Sequence, residues 1–282
     1  MQNTDPNAPI SPLEYKKVTE ELYKQNLELA RLYKEVDTLN KQRESLMHLI
    51  THKVKGSFTH SKYIFAGILD GTFGDANAEI KKRAEQGLES NDGGIKTIDL
   101  VLNSANLESG AVKYDMKVFD FKETVAQAFG EKKMEAEKRG LAMENSIEAG
   151  PYSVFGDAFW LKESINNLIE NSIKYTKPAR NASGIADAGG EGKISISLNH
   201  APNNKILFSV KDTGIGITEE DKKALFTEGG RGKESVKINV DSTGYGLYSV
   251  KLITEAHQGR VWAESEGPGK GSQFYIELNS QN

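Results

Sequence analysis

The feature that most constrains the fold of this chain is a strict heptad pattern near its N-terminus. Between Pro12 and Ile50 the sequence contains no glycine and no further proline, so no helix breaker interrupts this segment. Apolar residues recur at alternating steps of four and three, and they fill eight of ten positions in the series. The series reads Val18, Leu22, Gln25, Leu29, Leu32, Val36, Leu39, Arg43, Leu46 and Ile50. A seven-residue repeat held over this length favours a left-handed coiled coil.

Such a narrow apolar stripe buries little surface unless it meets a second helix. We therefore expect a parallel homodimer through this segment. The two polar members of the stripe, Gln25 and Arg43, are expected to lower its stability and to fix the register or the number of strands. The alternative is an amphipathic helix that packs on its own domain.

The helical pattern continues beyond the stripe to about Leu69 and is then broken at Gly71–Asp75. This segment contains two glycines, and its acidic residue Asp75 is placed to cap the helix that follows. The sequence therefore predicts a turn between two long helices.

A second helix is predicted from about Ala78 to Glu108, with Gly110 as its C-terminal stop. Its apolar stripe consists of Ile95, Ile98, Leu102 and Ala105. The segment Asp92–Gly94 is expected to loosen this helix midway, because glycine is a poor helix former. Two antiparallel helices of this kind form a four-helix bundle when the chain dimerises.

The rest of the chain, residues 113–282, has the pattern of a mixed α/β domain. Strands are predicted at 117–121, 194–198, 206–210, near 261 and at 274–276. Helices are predicted near 122–129, 156–174 and 245–257. Segment 177–192 is expected to be a flexible loop and segment 217–243 a lid. Strands on one side and helices on the other indicate an α/β sandwich.

Composition excludes several classes of function. The chain of 282 residues carries 36 Lys and Arg against 40 Asp and Glu, a formal net charge of −4, which argues against nucleic-acid partners and anionic membranes. The absence of cysteine excludes disulfides, thiolate zinc sites and a catalytic thiol. No apolar run approaches the ~20 residues of a membrane-spanning helix, so we expect no membrane segment in this chain. The expected location is the cytoplasm, either as a free protein or as the cytoplasmic part of a membrane-anchored sensor.

The first candidate site is a pair of carboxamides four residues apart in the helix predicted near 156–174. Asn167 and Asn171 lie on one helical face, and Lys174 and Tyr175 follow them closely. A carboxamide oxygen is a neutral, hard ligand suited to Mg²⁺, and a nearby ammonium group can bind phosphate. By itself this pattern is weak, because asparagines on helices usually face solvent.

Three further signals are rich in glycine. Asp212-Thr-Gly-Ile-Gly216 follows a predicted strand, and a carboxylate at a strand end can accept a hydrogen bond from the amino group of a nucleobase. Phe226-Thr-Glu-Gly-Gly-Arg231 comes next, followed by Thr243-Gly-Tyr-Gly-Leu247 at the start of a predicted helix. Glycines at a helix start expose backbone N–H groups that can hold phosphate oxygens.

In this order and spacing, the four motifs resemble the ATP-binding domain of sensor histidine kinases. The C-terminal stretch Glu264–Phe274 and the preceding Glu255–Gly259 fit the same family, and Ile98–Gly110 looks like the end of its dimerisation helix. The resemblance covers about residue 46 to the C-terminus, and its specificity comes from the ordered set rather than from any single motif.

The resemblance places the family's phospho-acceptor at His52, within His52-Lys-Val-Lys-Gly-Ser57. His52 falls just off the apolar stripe around Ile50 and Val54, so its ring is expected to reach solvent. An imidazole is mostly neutral near pH 7, and only its neutral form has a nucleophilic lone pair. The family motif departs here at two positions. Lys53 replaces the acidic residue that is thought to act as general base, and Gly56 replaces the Thr or Asn used in dephosphorylating the partner.

The resemblance also implies a set of nucleotide-binding residues. They are Asn167, Asn171, Lys174, Tyr175, Asp212, Gly214, Gly216, Phe226, Arg231, Thr243, Gly244, Gly246 and Leu247. Asn171 would bind the Mg²⁺ that bridges the ATP phosphates, and Asp212 would accept from the adenine amino group. Lys174 and Arg231 would meet phosphate oxygens.

These inferences combine into one expectation: a homodimeric kinase that uses ATP and Mg²⁺ to phosphorylate His52 and passes the phosphoryl group to an aspartate of a response-regulator receiver domain. The expected domains are a coiled-coil signalling helix at 1–45, a phospho-acceptor hairpin at 46–112 and a catalytic ATP-binding domain at 113–282. The alternatives are an ATP-binding pseudokinase or scaffold, and an ATPase of the gyrase or mismatch-repair type without a histidine acceptor.

Overall fold

The computed structural model describes residues 12–178, 192–230 and 244–281, without the side chains of Glu44 and His48. The chain divides into two compact units, residues 1–57 and 58–282. Helix α1 spans Pro12–Asp70, so the uninterrupted helix predicted from the heptad pattern is confirmed. In the first unit, every apolar member of the stripe is exposed, from 46% at Leu32 to 58% at Leu46.

In the second unit, α1 ends at Asp70 and helix α2 spans Ala78–Glu108, close to the predicted bounds. The expectation that Asp75 caps α2 was wrong. The N-cap is Asn77, whose Oδ1 accepts a hydrogen bond from the Ile80 N–H at 2.9 Å. The helix ends at Glu108, and the predicted stop Gly110 lies just beyond it, where the N–H groups of Gly110 and Ala111 bond back to carbonyls of the last turn.

The glycines of α2 do not interrupt it, contrary to the expectation for Asp92–Gly94. A Cβ atom at Gly94 would lie 2.6 Å from the ring of Phe58, and one at Gly87 would lie 2.6 Å from the ring of Phe65. The two phenylalanines and the two glycines are each seven residues apart, so the rings fill successive gaps along α2. These glycines therefore admit aromatic rings between the two antiparallel helix segments.

The remaining elements of the second unit alternate between strands and helices. They are β1 (Lys117–Asp120), α3 (Phe121–Lys138), β2 (Ala142–Ile147), β3 (Ser153–Gly156), α4 (Ala158–Tyr175), β4 (Lys193–Ala201), β5 (Lys205–Asp212), α5 (Glu219–Lys222), α6 (Tyr245–Ala256), β6 (Arg260–Glu264) and β7 (Ser272–Asn279). Strands β1 and β3 form a small antiparallel pair, and the other five form a sheet in the order β2-β4-β5-β7-β6. Only the β2–β4 pairing is parallel in this sheet.

The core lies between the five-stranded sheet and the helices α3, α4 and α6. Alternate residues of the central strands β4, β5 and β7 point into it, which is the period-two pattern that the sequence predicted. Its strand members Ile194, Ile196, Leu198, Ile206, Phe208 and Val210 are all at most 1% exposed. Leu107 of α2 belongs to the same apolar cluster. A helical N-terminal region followed by an α/β sandwich is therefore the observed fold.

Three differences from the predicted elements have local causes. Helix α3 continues to Lys138, nine residues beyond the expected end, because segment 130–138 is rich in strong helix formers and places Ala136 in the core. Strands β2 and β3 were not predicted, since their short segments lack regular apolar alternation.

No helix within the described residues is long and apolar enough to span a membrane.

Candidate functional site

The chemically most distinctive residue is Asp212, at the end of the central strand β5. It is 3% exposed, and burial raises the pKa of its carboxyl group above the ordinary 3.8. Its Oδ1 accepts from the N–H groups of Gly214 at 2.8 Å and Ser272 at 3.2 Å. Its Oδ2 accepts from the hydroxyl of Ser272 at 2.5 Å and, more weakly, from Ser172 at 3.4 Å. These hydrogen bonds favour the charged form and oppose the effect of burial.

The glycines after Asp212 let two loops meet at the end of the sheet. Gly216 has φ +71°, and a Cβ atom there would lie 2.0 Å from the carbonyl oxygen of Gly267. The Gly269 N–H donates to the Ile215 carbonyl at 2.6 Å, which joins loop 213–217 to loop 265–271. The two loops therefore form one backbone-lined wall beside Asp212.

Gly214 allows the same wall to approach the C-terminal end of α4. A Cβ atom at Gly214 would lie 2.4 Å from the Tyr175 carbonyl oxygen, and the Ile215 N–H donates to this oxygen at 3.1 Å. The Nζ of Lys174 lies 5.6 Å from the centre of the Tyr175 ring. Tyr175 and Lys174 are half-buried.

The two asparagines lie one turn apart on α4, as predicted, and both are half-buried. Asn167 contacts the beginning of α6, since a Cβ atom at Gly246 would lie 3.2 Å from its Oδ1. Its Nδ2 donates to the Glu163 carbonyl of the preceding turn at 3.0 Å. The carboxamide face of α4 is thereby placed next to the start of α6.

The start of α6 has the features of an anion site. Its N-cap is Gly244 with φ +75°, a residue that has no side chain with which to cap the first N–H groups of the helix. A Cβ atom at Gly244 would lie 2.6 Å from the backbone of Gly229, so only glycine fits this junction. Leu247 and Phe226 are half-buried against the core cluster on either side of the junction.

The structure thus brings most of the predicted nucleotide-binding residues around one end of the sheet. Asp212, Gly214 and Tyr175 are linked by direct approach, as are Asn167 and Gly246. The predicted residues Arg231 and Thr243 lie outside the described residues, as does the second part of the segment expected to form a lid, 231–243. His52 lies on α1 in the first unit and is exposed, as the sequence predicted.

Comparison with known proteins shows what this chain is similar to. The family described as Histidine kinase-, DNA gyrase B-, and HSP90-like ATPase matches residues 156–282. The sensor histidine kinase GacS of Pseudomonas protegens is 26% identical over 90% of this chain, and the adaptive-response sensory kinase SasA of Prochlorococcus marinus is 27% identical over 88%. The chain is similar in sequence to sensor histidine kinases over most of its length. The match covers 26% of the length of GacS and 60% of that of SasA.

The fold of this chain also occurs among solved structures. The crystal structure of full-length ShkA in complex with AMPPNP superposes with a TM-score of 0.64 at 19% sequence identity. The superposition covers 84% of this chain and 46% of ShkA, so it includes helices as well as the ATPase-type domain.

Sequence reasoning missed the two serines that hold the carboxylate of Asp212. Ser272 stands opposite Asp212 in the β5–β7 register, and Ser172 follows Asn171 on α4. The only available signal was that both serines adjoin a recognised motif. A hydroxyl next to a glycine or asparagine motif is too common to single out until the strand register is known.

Proposed function

We propose that this protein is an ATP-dependent histidine autokinase that phosphorylates His52 and passes the phosphoryl group to an aspartate of a separate receiver protein. The observation that carries the proposal is the convergence of a buried carboxylate, Asp212, with the glycine-rich N-terminus of α6 and the carboxamide face of α4. These three features supply an acceptor for a base, donors for phosphate and neutral oxygen ligands.

The adenine end of the nucleotide would lie against Asp212. Its carboxylate can accept a hydrogen bond from the adenine amino group, and the serines that already bond to it hold its orientation. Gly214 and Gly216 keep side chains out of this pocket, and the backbone carbonyl of Tyr175 lies against Gly214. This arrangement distinguishes adenine from guanine, which has a carbonyl group at the same ring position.

The phosphate end would lie at the start of α6, where the first N–H groups and the helix dipole favour negative charge. Lys174, and Arg231 from outside the described residues, would add cationic contacts. Gly244, Gly246, Leu247 and the undescribed Thr243 would close over the phosphates.

Asn171 would be the protein's ligand to Mg²⁺, with Asn167 one turn away. The described residues contain no cluster of three or more His, Asp, Glu or Cys side chains that could hold a metal by themselves. A single carboxamide suits an ion that takes its other oxygen ligands from phosphates and water, as Mg²⁺ usually does. When bound, the ion neutralises phosphate charge.

The transfer itself requires little covalent chemistry from the protein. A nitrogen of the His52 imidazole forms a bond to the γ-phosphorus, the bond to the β,γ-bridging oxygen breaks, and ADP leaves with that electron pair. The proton of the attacked imidazole can leave after the bond forms, because a loose transition state needs little prior deprotonation. Lys53, adjacent to His52, therefore does not prevent transfer.

Two partners follow from the proposal. A second copy of the chain would cover the apolar stripe of α1, all of whose apolar members are exposed in the single chain. A receiver protein would supply the aspartate that takes the phosphoryl group from His52.

The test is labelling of the full chain with γ-³²P-ATP and Mg²⁺, with variants His52→Gln and His60→Gln. His60 is a matched control, since it is a second exposed histidine of α1. We expect label that is stable in alkali and labile in acid, lost in His52→Gln and retained in His60→Gln. Labelling that survives in His52→Gln would move the acceptor elsewhere.

A second candidate function is that of a nucleotide-binding protein that does not transfer phosphate. One observation favours it, the presence of Lys53 directly after His52. ATP binding without label in the same experiment would support it, and release of free phosphate without label would support an ATPase of the gyrase type.

A further inference from the structure

Two buried hydroxyl groups, those of Ser104 on α2 and Ser249 on α6, join the two helices. Ser249 in turn bonds to the α6 N-terminal turn, residues 244–247. The Oγ atoms of Ser104 and Ser249 lie 2.6 Å apart although 145 positions separate them in sequence. Ser104 is 1% and Ser249 3% exposed, so neither hydroxyl can exchange this partner for water.

The direction of this pair follows from proton counting. The Oγ of Ser249 donates its single proton to the Tyr245 carbonyl oxygen at 3.0 Å. Its oxygen must then accept from the Ser104 hydroxyl. A chain of two hydrogen bonds therefore runs from α2 to the first residue of α6, next to Gly244 and Gly246.

The hydroxyl pair lies within a wider contact between α2 and the sandwich. Leu107, one turn after Ser104, is buried in the core cluster. A cavity of about 340 Å³ lies beside the pair, and residues of α2, α4 and α6 line it, Leu107 and Ser249 among them. The hydroxyl pair is thus a direct hydrogen-bonded link through which α2 can act on α6.

We propose that Ser104 is a positioning residue through which α2 raises the affinity of the α6 N-terminal turn for the phosphates of a nucleotide. The inference rests on the proposed function, because it assigns a regulation to the same site. A turn whose N–H groups are already oriented loses less conformational freedom when phosphate binds. By linkage, a bound nucleotide must strengthen the docking of α2 by the same factor.

The first test compares the binding of AMPPNP with Mg²⁺ and of adenosine to the full chain and to Ser104→Ala by calorimetry. We expect AMPPNP affinity to fall roughly three- to tenfold, as for loss of one neutral hydrogen bond, with adenosine affinity unchanged. The matched control is Ser109→Ala, whose exposed hydroxyl bonds only within α2. An equal loss for both ligands would indicate a merely structural role and overturn the proposal.

The second test locks the contact. The chain has no native cysteine, so Ser104→Cys with Ser249→Cys introduces the only possible disulfide. We expect the oxidised double variant to bind AMPPNP more tightly than the same protein after reduction, with single variants insensitive to oxidant. Equal affinity in both redox states overturns the coupling. If the unaltered chain binds no adenine nucleotide, the proposed function fails instead, so the two failures are distinguishable.

Discussion

Two regions of this chain have equally regular apolar patterns and opposite environments. In the first unit, Leu29 and Leu32 of the α1 stripe are 53% and 46% exposed. In the second unit, Ile196 and Leu198 of β4 are at most 1% exposed. Periodicity thus identifies which residues share a face, but burial requires a second apolar surface. The sandwich supplies that surface from its own helices, whereas the apolar members of the α1 stripe are exposed in the single chain.

The same contrast holds for charge. Asp37 of α1 forms an exposed ion pair with Lys41, one helical turn away, at 2.7 Å. Such pairs contribute little to stability because water screens them. Asp212 is buried, and three of its four hydrogen bonds come from residues distant in sequence, Ser172 and Ser272. Only the second arrangement can fix the orientation and protonation of a carboxylate.

The largest expected effect comes from truncating one leucine in each region. We expect Leu198→Ala to lower the free energy of unfolding by about 2–5 kcal/mol at any protein concentration, because it opens a cavity in a closed core. We expect Leu32→Ala to leave unfolding of the sandwich unchanged and to weaken self-association. Urea unfolding at two protein concentrations, together with analytical ultracentrifugation, checks both variants. A concentration-independent loss in Leu32→Ala would show that the stripe packs within one chain.

A second pair of variants compares a crowded glycine with an open one. Gly216→Ala places a Cβ atom against the Gly267 carbonyl and forces alanine into a positive φ, so we expect a loss of about 2–4 kcal/mol. Gly74 also has a positive φ, +103°, but its Cβ would meet nothing within 4 Å. Gly74→Ala should therefore cost only about 1 kcal/mol of backbone strain. Equal losses in thermal unfolding would contradict the tight approach of the two loops.

The third prediction separates charge that binds a ligand from charge on a surface. In Asp212→Asn the amide nitrogen can face the hydroxyls of Ser172 and Ser272, so the fold should persist. Adenosine affinity should fall roughly 10- to 100-fold, as for loss of a charged hydrogen bond. Asp37→Asn should change neither the fold nor the affinity for adenosine. Calorimetric titration with adenosine measures both variants.

The pH dependence of Asp212 follows from its raised pKa. The folded protein holds this proton more tightly than the unfolded chain, so its stability contribution is present below 3.8 and is lost as pH rises through the raised folded pKa. Asp212→Asn should remove this pH-dependent contribution to the free energy of unfolding. In the unaltered protein, acidification should weaken adenosine binding, since a protonated carboxyl loses acceptor capacity. An affinity for adenosine that does not change with pH would contradict the role of Asp212.

The smallest effect concerns His257, a buried residue at the end of α6. Its Nε2 accepts from the Asp157 N–H at 2.9 Å, and its Nδ1 lies 2.7 Å from the Ile253 carbonyl, to which it donates in the neutral ring. Burial lowers the pKa of His257 below 6.5. The resulting stability is present above 6.5 and is lost as pH falls through the lowered folded pKa.

Replacement of His257 by Gln should therefore flatten the decline of the free energy of unfolding below pH 6.5. The control His60→Gln removes an exposed histidine and should retain that decline. Urea unfolding at a series of pH values measures both. An unchanged decline in His257→Gln would assign it to other groups.

Much of the fold was predictable because its signals are local. The bounds of α1 and α2 followed from uninterrupted helix formers and from the stop at Gly110, and alternation predicted β4 and β5. Strands β2 and β3 were not predictable in this way, since their pairing partners lie at least 30 residues away in the chain. The glycines of α2 were misread, because their reason is the ring of a phenylalanine on another helix segment.

The candidate site divides in the same manner. Motif order in the sequence was sufficient to name Asp212, Asn167 and Gly246, because each sits in a recognisable local pattern. The sequence by itself determined the helices, the apolar faces and these chemical groups, since propensity and periodicity are properties of neighbouring residues. Only the tertiary structure decided that Ser272 holds Asp212 and that Ser104 reaches Ser249, because hydrogen bonds across 60 and 145 positions depend on strand register and helix packing.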